Sequence, residues 1–133
     1  MLHLKTLSMT ALFLVSIQVC FAQSQYDLTA SSLKDLQKAE KDLNAVYQKV
    51  LAQYKTDTAF TRYLKTAQRL WLQLRDADLD AMYPPDPLGG SAGPMCYNNS
   101  KAAVTIDRTK YLKQWLEGRD EGDVCGGSIK SKD

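Results

Sequence analysis

The sequence predicts an all-α domain: an antiparallel helical hairpin with a third helix packed across it, closed by one disulfide. Three observations carry that expectation. From Asp57 to Tyr83 no Gly or Pro interrupts a run rich in good helix formers, and Phe60, Leu64, Ala67, Trp71, Leu74 and Ala81 recur at steps of three, four or seven. A second stripe, Leu36, Ala39, Leu43, Val46 and Val50, precedes it. Only Lys55-Thr56-Asp57 separates the two, a link so short that the helices must run antiparallel. Cys96 and Cys125 remain as an even pair once the N-terminal segment is set aside.

That segment, residues 1–22, reads as a secretory signal peptide. His3 and Lys5 precede an apolar run from Ala11 to Ile17, and a small-residue end falls at Ala22. The apolar run is too short to be a permanent membrane span. Cleavage after Ala22 leaves residues 23–133 as one secreted or periplasmic domain, with a helical core over 33–117 and a tail over 118–133. Lipidation at Cys20 is the competing reading, disfavoured because Val19 stands where a small residue is wanted.

Removal of the segment takes away Lys5 and the sole histidine, His3, and lowers the formal charge from +2 to about +1. Such a charge is no footprint for nucleic acid or an anionic membrane. Without imidazole, acid/base catalysis and zinc binding lose their usual group, so neither an enzyme nor a metal or other cofactor is expected. In an oxidising compartment a Cys96–Cys125 bridge would add about 3.5 kcal/mol by restricting the unfolded chain. A redox pair is disfavoured, since there is no C-x-x-C spacing and no histidine to activate a thiolate.

Taken in order, residues 23–30 form a loose lead-in. The first helix starts at Thr29 or Ser32, where Ser32-Leu33-Lys34-Asp35 fits a capping box, and ends near Tyr54. Asp57 or Thr58 caps the second helix, and Pro84 stops it. A long connection follows up to Asn99. Asn98 or Asn99 then caps a third helix from about Ser100 to Glu117, which Gly118 ends. The polar tail stays close because Cys125 ties it down.

Polar residues inside the helices raise the functional question. Asp76, Asp78 and Asp80 crowd the end of the second helix, where the macrodipole disfavours negative charge. Arg108 lies between Val104 and Leu112 and so faces the core, where it needs a carboxylate from Asp42, Asp76 or Asp80. Gln68 reads as a hydrogen-bond partner, and an ion network locking three helices outranks a ligand-facing role. Asp76 and Asp80 as a glycosidase pair, or with Asp78 as a cation site, are set aside: like charges at helical spacing are more simply solvated or paired with arginine. Trp71, Tyr47 and Trp115 read as core.

These residues recur in a pattern. Asp42-Leu43-Asn44-x-x-Tyr47, then Leu64-x-x-Ala67-Gln68-x-x-Trp71-x-x-x-Arg75-Asp76, then Cys96 and Thr105-x-x-Arg108-x-x-x-Leu112 together resemble the LprI-type lysozyme inhibitor domain, a family of small secreted bacterial proteins. The resemblance covers Leu36 to Leu116. It implies a protein partner, a lysozyme, whose inhibition protects peptidoglycan, and a structural polar network of Asp42, Asn44, Gln68, Arg75, Asp76 and Arg108. Members of that family carry a cysteine where this chain has Leu79, which leaves Cys125 as the candidate partner of Cys96. The segment from Asp86 to Asn99, through Gly89, Gly90, Ser91, Tyr97, Asn98 and Asn99, is the candidate partner-binding loop, with a plain connector as the alternative. The competing functional classes are a non-inhibitory envelope or stress protein that binds another partner and, disfavoured, a wall hydrolase.

Overall fold

The computed structural model describes residues 2–84, 90 and 92–132, and of residues 2–23 only the helical backbone. Three helices make the architecture: α1, Leu2–Gln53; α2, Thr58–Met82; and α3, Gly93–Glu117. No Gly or Pro occurs between Leu2 and Gln53, so nothing in the chain stops α1. The expected lead-in over residues 23–30 is therefore helix. Ser32 does not cap it; its hydroxyl donates back to the Thr29 carbonyl oxygen at 2.8 Å, inside the helix.

The second helix begins and ends where its caps dictate. The Asp57 side chain accepts the Phe60 amide at 2.9 Å. Past Met82, Pro84 has no amide to continue the ladder. The third helix starts two turns before the expected Ser100, because Pro94 supplies a pre-set φ in the first turn and needs no donor there. It ends at Gly118, whose φ of 76° is left-handed, and a Cβ at that position would come within 3.1 Å of the Lys130 carbonyl oxygen.

The third helix lies alongside α1 rather than across the hairpin. Gln25 meets Met95, Ser32 meets Asn98 and Tyr54 meets Trp115, so α1 and α3 run parallel. Glu40, Thr105, Arg108 and Ser100 are met in turn by Arg75, Gln68 and Tyr83, so α2 is antiparallel to both. Small buried side chains, Ser32, Ala39, Ala102 and Thr105, let α1 and α3 form the most extensive pair. Below them Leu43, Val50, Tyr54, Phe60, Leu64 and Leu112 make the main core, with Trp71 and Trp115 packed on it.

The buried face of α2 is not the expected stripe. Phe60, Leu64, Gln68, Arg75 and Leu79 are buried, whereas Ala67 and Ala81 are exposed and Leu74 is 60% exposed. The helix is rotated by about 60° from the apolar register, at 100° per residue. Polar side chains with partners on the facing helices have displaced apolar ones.

The expected Cys96–Cys125 disulfide is absent: both cysteines are free thiols, not at bonding distance. Cys96 sits in the first turns of α3 and Cys125 beyond its far end. The helix carries the chain about 32 Å from Cys96 to Glu117, and the link from Gly118 to Cys125 reaches at most about 27 Å even fully extended. It is not extended, because the tail folds on itself: the Arg119 amide donates to the Lys130 carbonyl oxygen and the Lys132 amide to that of Arg119, both at 2.9 Å.

Tyr54, only 2% exposed, holds the tail instead of sulfur. Its hydroxyl donates to the Trp115 carbonyl oxygen at 3.2 Å and accepts the Lys130 amide at 3.0 Å. The Trp115 indole N–H donates to Ser128 Oγ at 3.0 Å, and the Lys130 ammonium lies 4.7 Å from the Tyr54 ring centroid.

Two outcomes follow. Tyr54→Phe leaves the Lys130 amide without its partner and the Trp115 carbonyl oxygen with only the Gln53 side-chain amide, and lowers stability by about 1–2 kcal/mol; limited proteolysis will then cut the tail before the helices unfold. Adding a reductant will leave the thermal midpoint unchanged, and alkylation of the folded, unreduced protein will modify both Cys96 and Cys125, the exposed Cys125 first.

Candidate functional site

A polar seam runs between α2 and α3. Arg75, 7% exposed, is its centre. Its Nη1 donates to Thr105 Oγ1 at 3.1 Å, its Nε donates to Asp76 Oδ1 at 2.9 Å, and Glu40 Oε1 on α1 lies 3.5 Å from Nη1. One guanidinium therefore touches all three helices. Thr105 is fully buried and returns its own proton to the Lys101 carbonyl oxygen at 2.7 Å, so its hydroxyl both accepts and donates. The Lys101 ammonium closes on Asp76 Oδ1 at 3.1 Å. Burial pushes the Asp76 carboxyl up, but hydrogen bonds and charge from Arg75 and Lys101 outweigh it and hold it below the ordinary carboxylate range. The carboxylates crowding the end of α2 are thus partly explained: Asp76 neutralises two cations.

Two turns toward the α1–α2 link, Arg108 behaves differently. Its Nε donates to Gln68 Oε1 at 3.0 Å, and its guanidinium carbon lies 5.4 Å from the Trp71 centroid and 5.0 Å from that of Tyr111. Among the described residues no carboxylate is within ion-pair distance of it. Desolvation lowers its pKa from the ordinary value, and the Tyr111 ring oxygen acts against that. The expectation that Asp42, Asp76 or Asp80 pairs with Arg108 fails on placement. Asp42 is on the exposed face of α1, held by Lys38 at 2.7 Å, Asp76 is taken, and Asp80 faces solvent.

Of the six residues expected to form the network, Gln68, Arg75, Asp76 and Arg108 line this seam. Asp42 does not join it, and the exposed Asn44 borders a shallow hollow between α1 and α2 beside Glu40 and Tyr47. Thr105, which stands in the family pattern, and Glu40 and Lys101 complete the seam without having been expected in the network. Of these, Thr105 was legible, since Ala102, Thr105, Thr109 and Leu112 recur at helical steps on the buried side of α3. Leu79, where the family pattern has a cysteine, is a core side chain at 4% exposure.

The described part of the candidate loop is largely helix. Tyr97, Asn98 and Asn99 lie in the first turns of α3. Tyr97 packs edge-on to Tyr83 and under the Lys101 ammonium, Asn98 donates to Ser32 Oγ at 3.2 Å, and Asn99 is exposed. Gly90 is exposed, and Gly89 and Ser91 lie outside the described residues.

What the geometry does present is an open groove between α2 and α3, on the side away from α1. Its lower part, about 460 Å³, has walls of Phe60, Tyr63, Tyr111 and Trp115 with Arg108 on its inner side. Its upper part, about 410 Å³, is lined by Trp71, Leu74, Asp78, Met82 and Val104. Tyr63, Leu74 and Met82 are 60–67% exposed. These are the side chains that the rotation of α2 leaves outside.

The chain is thus a small three-helix domain whose helices carry a polar seam and an open apolar face. The family model for the lysozyme inhibitor LprI matches residues 20–112, a span that takes in α2 and most of α1 and α3. An uncharacterised protein of Rhizobium meliloti (strain 1021) is 31% identical over 110 residues, covering 74% of this chain and 78% of that protein. A crystal structure of a DUF1311 family protein from Pseudomonas putida KT2440 matches with a TM-score of 0.58 at 24% identity, over 65% of this chain and 88% of that one, and so shares the fold. The chain belongs to the lysozyme inhibitor LprI family. Among the described residues no helix is long and apolar enough to cross a membrane, and no group of three or more His, Cys, Asp or Glu is placed to hold a metal ion.

The seam makes two distinguishable demands on stability. Arg75→Ala removes a buried bridge to three helices and will cost about 2–4 kcal/mol. Asp76→Asn, at a side chain 47% exposed, will cost under about 1 kcal/mol. Because the folded Asp76 carboxyl titrates below its unfolded value, its contribution is complete above about pH 4 and disappears as pH falls through the folded pKa. Carbon-13 titration of the carboxyls will show Asp76 low in the protein as it stands and raised in Lys101→Met.

Proposed function

We propose that this protein is an exported inhibitor of lysozyme that protects peptidoglycan, with the α2–α3 groove as its contact surface. The observation that carries the reading is that groove: an open, aromatic-walled strip on two rigid helices, in a chain of the lysozyme inhibitor LprI family. Exposed apolar area on this scale marks interaction surfaces, and Tyr, Trp, Met and Arg are the residues that anchor protein interfaces. Side chains on helices locked by the Arg75 seam lose little freedom on association. Export through a leader ending at Ala22 would bring the domain to the wall it protects.

A second reading, binding to another envelope protein without inhibition, is favoured by one observation. A formal charge near neutral steers weakly toward basic lysozymes, and Asp76 is already consumed by Arg75 and Lys101. The exposed Asp78 keeps one carboxylate at the upper mouth of the groove, which suits the first reading.

Lysis assays with chicken-type, goose-type and invertebrate-type enzymes decide between them. The protein will slow lysis by at least one type, equally with and without reductant. Leu74→Asp will weaken inhibition by about tenfold or more while leaving the thermal midpoint in place. No effect on any of the three by folded protein sinks the lysozyme reading and leaves the second.

A further inference from the structure

Arg108 is a half-buried cation whose partners among the described residues are all neutral: an amide oxygen from Gln68 and the rings of Trp71 and Tyr111. Among the described residues its Nη nitrogens make no hydrogen bond, yet no buried side-chain nitrogen or oxygen there lacks a partner. Those nitrogens are therefore open to the lower groove that Arg108 lines. Gln68 fixes Nε, and the two rings hold the guanidinium, so its outward edge is a fork of N–H donors with the geometry a carboxylate takes up bidentately. We propose that the groove accepts an acidic residue of a protein partner, flanked by apolar side chains, with its carboxylate on Arg108. This rests on the reading of the groove as a protein-contact surface.

Charge and length identify the occupant. A guanidinium partly stripped of water, with no counter-ion, sits in aromatic walls that would shield an incoming carboxylate from solvent, where such a pair gains most. The open strip does not end at Arg108. A second hollow, lined by Trp71, Leu74, Val104 and Met82, follows along the same pair of helices, so that from Tyr63 to Met82 the two together extend for about 29 Å along α2. That is too long for a small organic acid and suits a helix or extended segment. Asp78, which makes no ion pair among the described residues, stands ten residues along α2 from Gln68, or about 15 Å. A matching segment thus carries an acid opposite Arg108 and a base about 15 Å away.

The test uses nitrogen-15-labelled protein purified from cells expressing the full chain, titrated with acetyl-Leu-Glu-Leu-amide and its neutral isostere acetyl-Leu-Gln-Leu-amide. The Glu peptide will move the indole signals of Trp71 and Trp115 and the Arg108 Nε–H signal, binding about fivefold or more tighter than the Gln peptide, and added salt will erase the difference. Arg108→Gln will abolish the preference with unchanged helicity. Should that variant not fold, the unaltered protein still decides through the two peptides and the site of the shifts. Equal binding of both peptides, no shift from either, or shifts outside the groove overturns the assignment. If 3-phenylpropionate binds as tightly as the Glu peptide, the occupant is a small acid and the protein-partner proposal fails. Failure of the lysozyme reading appears only in the lysis assay, whereas failure here with inhibition intact removes Arg108 alone.

Discussion

The rest of the fold depends on one buried guanidinium. Arg75 reaches from α2 to Thr105 on α3 and toward Glu40 on α1, and no apolar side chain at that position could meet both. Burying it carries Gln68, two turns earlier on the same face, into the interior as well. The helix then cannot also bury Ala67, Leu74 and Ala81, which lie about 80–120° around its axis from Arg75. An exposed apolar strip is the geometric consequence of a polar core. The protein gives up apolar burial worth a few kcal/mol on α2 and keeps, in exchange, a surface that a purely apolar core would have hidden. Local conflict between pattern and structure of this kind marks positions shaped by something other than stability.

At the opposite end of the bundle the same economy of partners closes the tail. Tyr54 is buried, aromatic and polar at once: its ring packs on Phe60 at 4.6 Å, while its hydroxyl joins the end of α3 to Lys130. A covalent link is unnecessary because the tail's backbone bonds to itself across Arg119 and its side chains bond to the helix ends. The staple that composition suggests would have required Cys125 to travel back along the whole of α3. Only a fully extended link could span that distance, and the tail instead folds on itself at the far end of α3. Counting cysteines by compartment was sound in principle and failed because it ignored where a long helix puts its two ends.

Helix existence and order were legible in the sequence, since period and breakers both act locally: Asp57, Pro84 and Gly118 end or begin elements where their chemistry requires. Helix starts that depend on the absence of a stop signal were not, and so α1 runs through residues 23–30 and α3 begins at Gly93. Four seam residues could be named from their pattern, yet their wiring could not. Asp42 is as plausible a partner for an arginine as Asp76 until the parallel packing of α1 and α3 turns Asp42 outward to Lys38. The groove was invisible because apolar residues were assigned to the core by default, and the rotation that expels Leu74 follows from a contact between residues thirty apart in sequence.

The seam and the groove are one device rather than two. Gln68 belongs to the buried face that Arg75 imposes, and its side-chain oxygen fixes the guanidinium that lines the groove. The charge offered to a partner is therefore oriented from the core, through a hydrogen bond that moves only if α2 moves. A flexible loop would have to be ordered at each encounter, at about 1–2 kcal/mol per residue fixed. A cation held by a buried amide between two rings has already met that requirement during folding. Recognition written on helices is restricted in shape, since it cannot mould itself to many surfaces, but it loses little freedom when the right one arrives. For a small domain without a covalent tether, the polar interior thus secures the third helix and sets the direction of the cation that lines the lower groove.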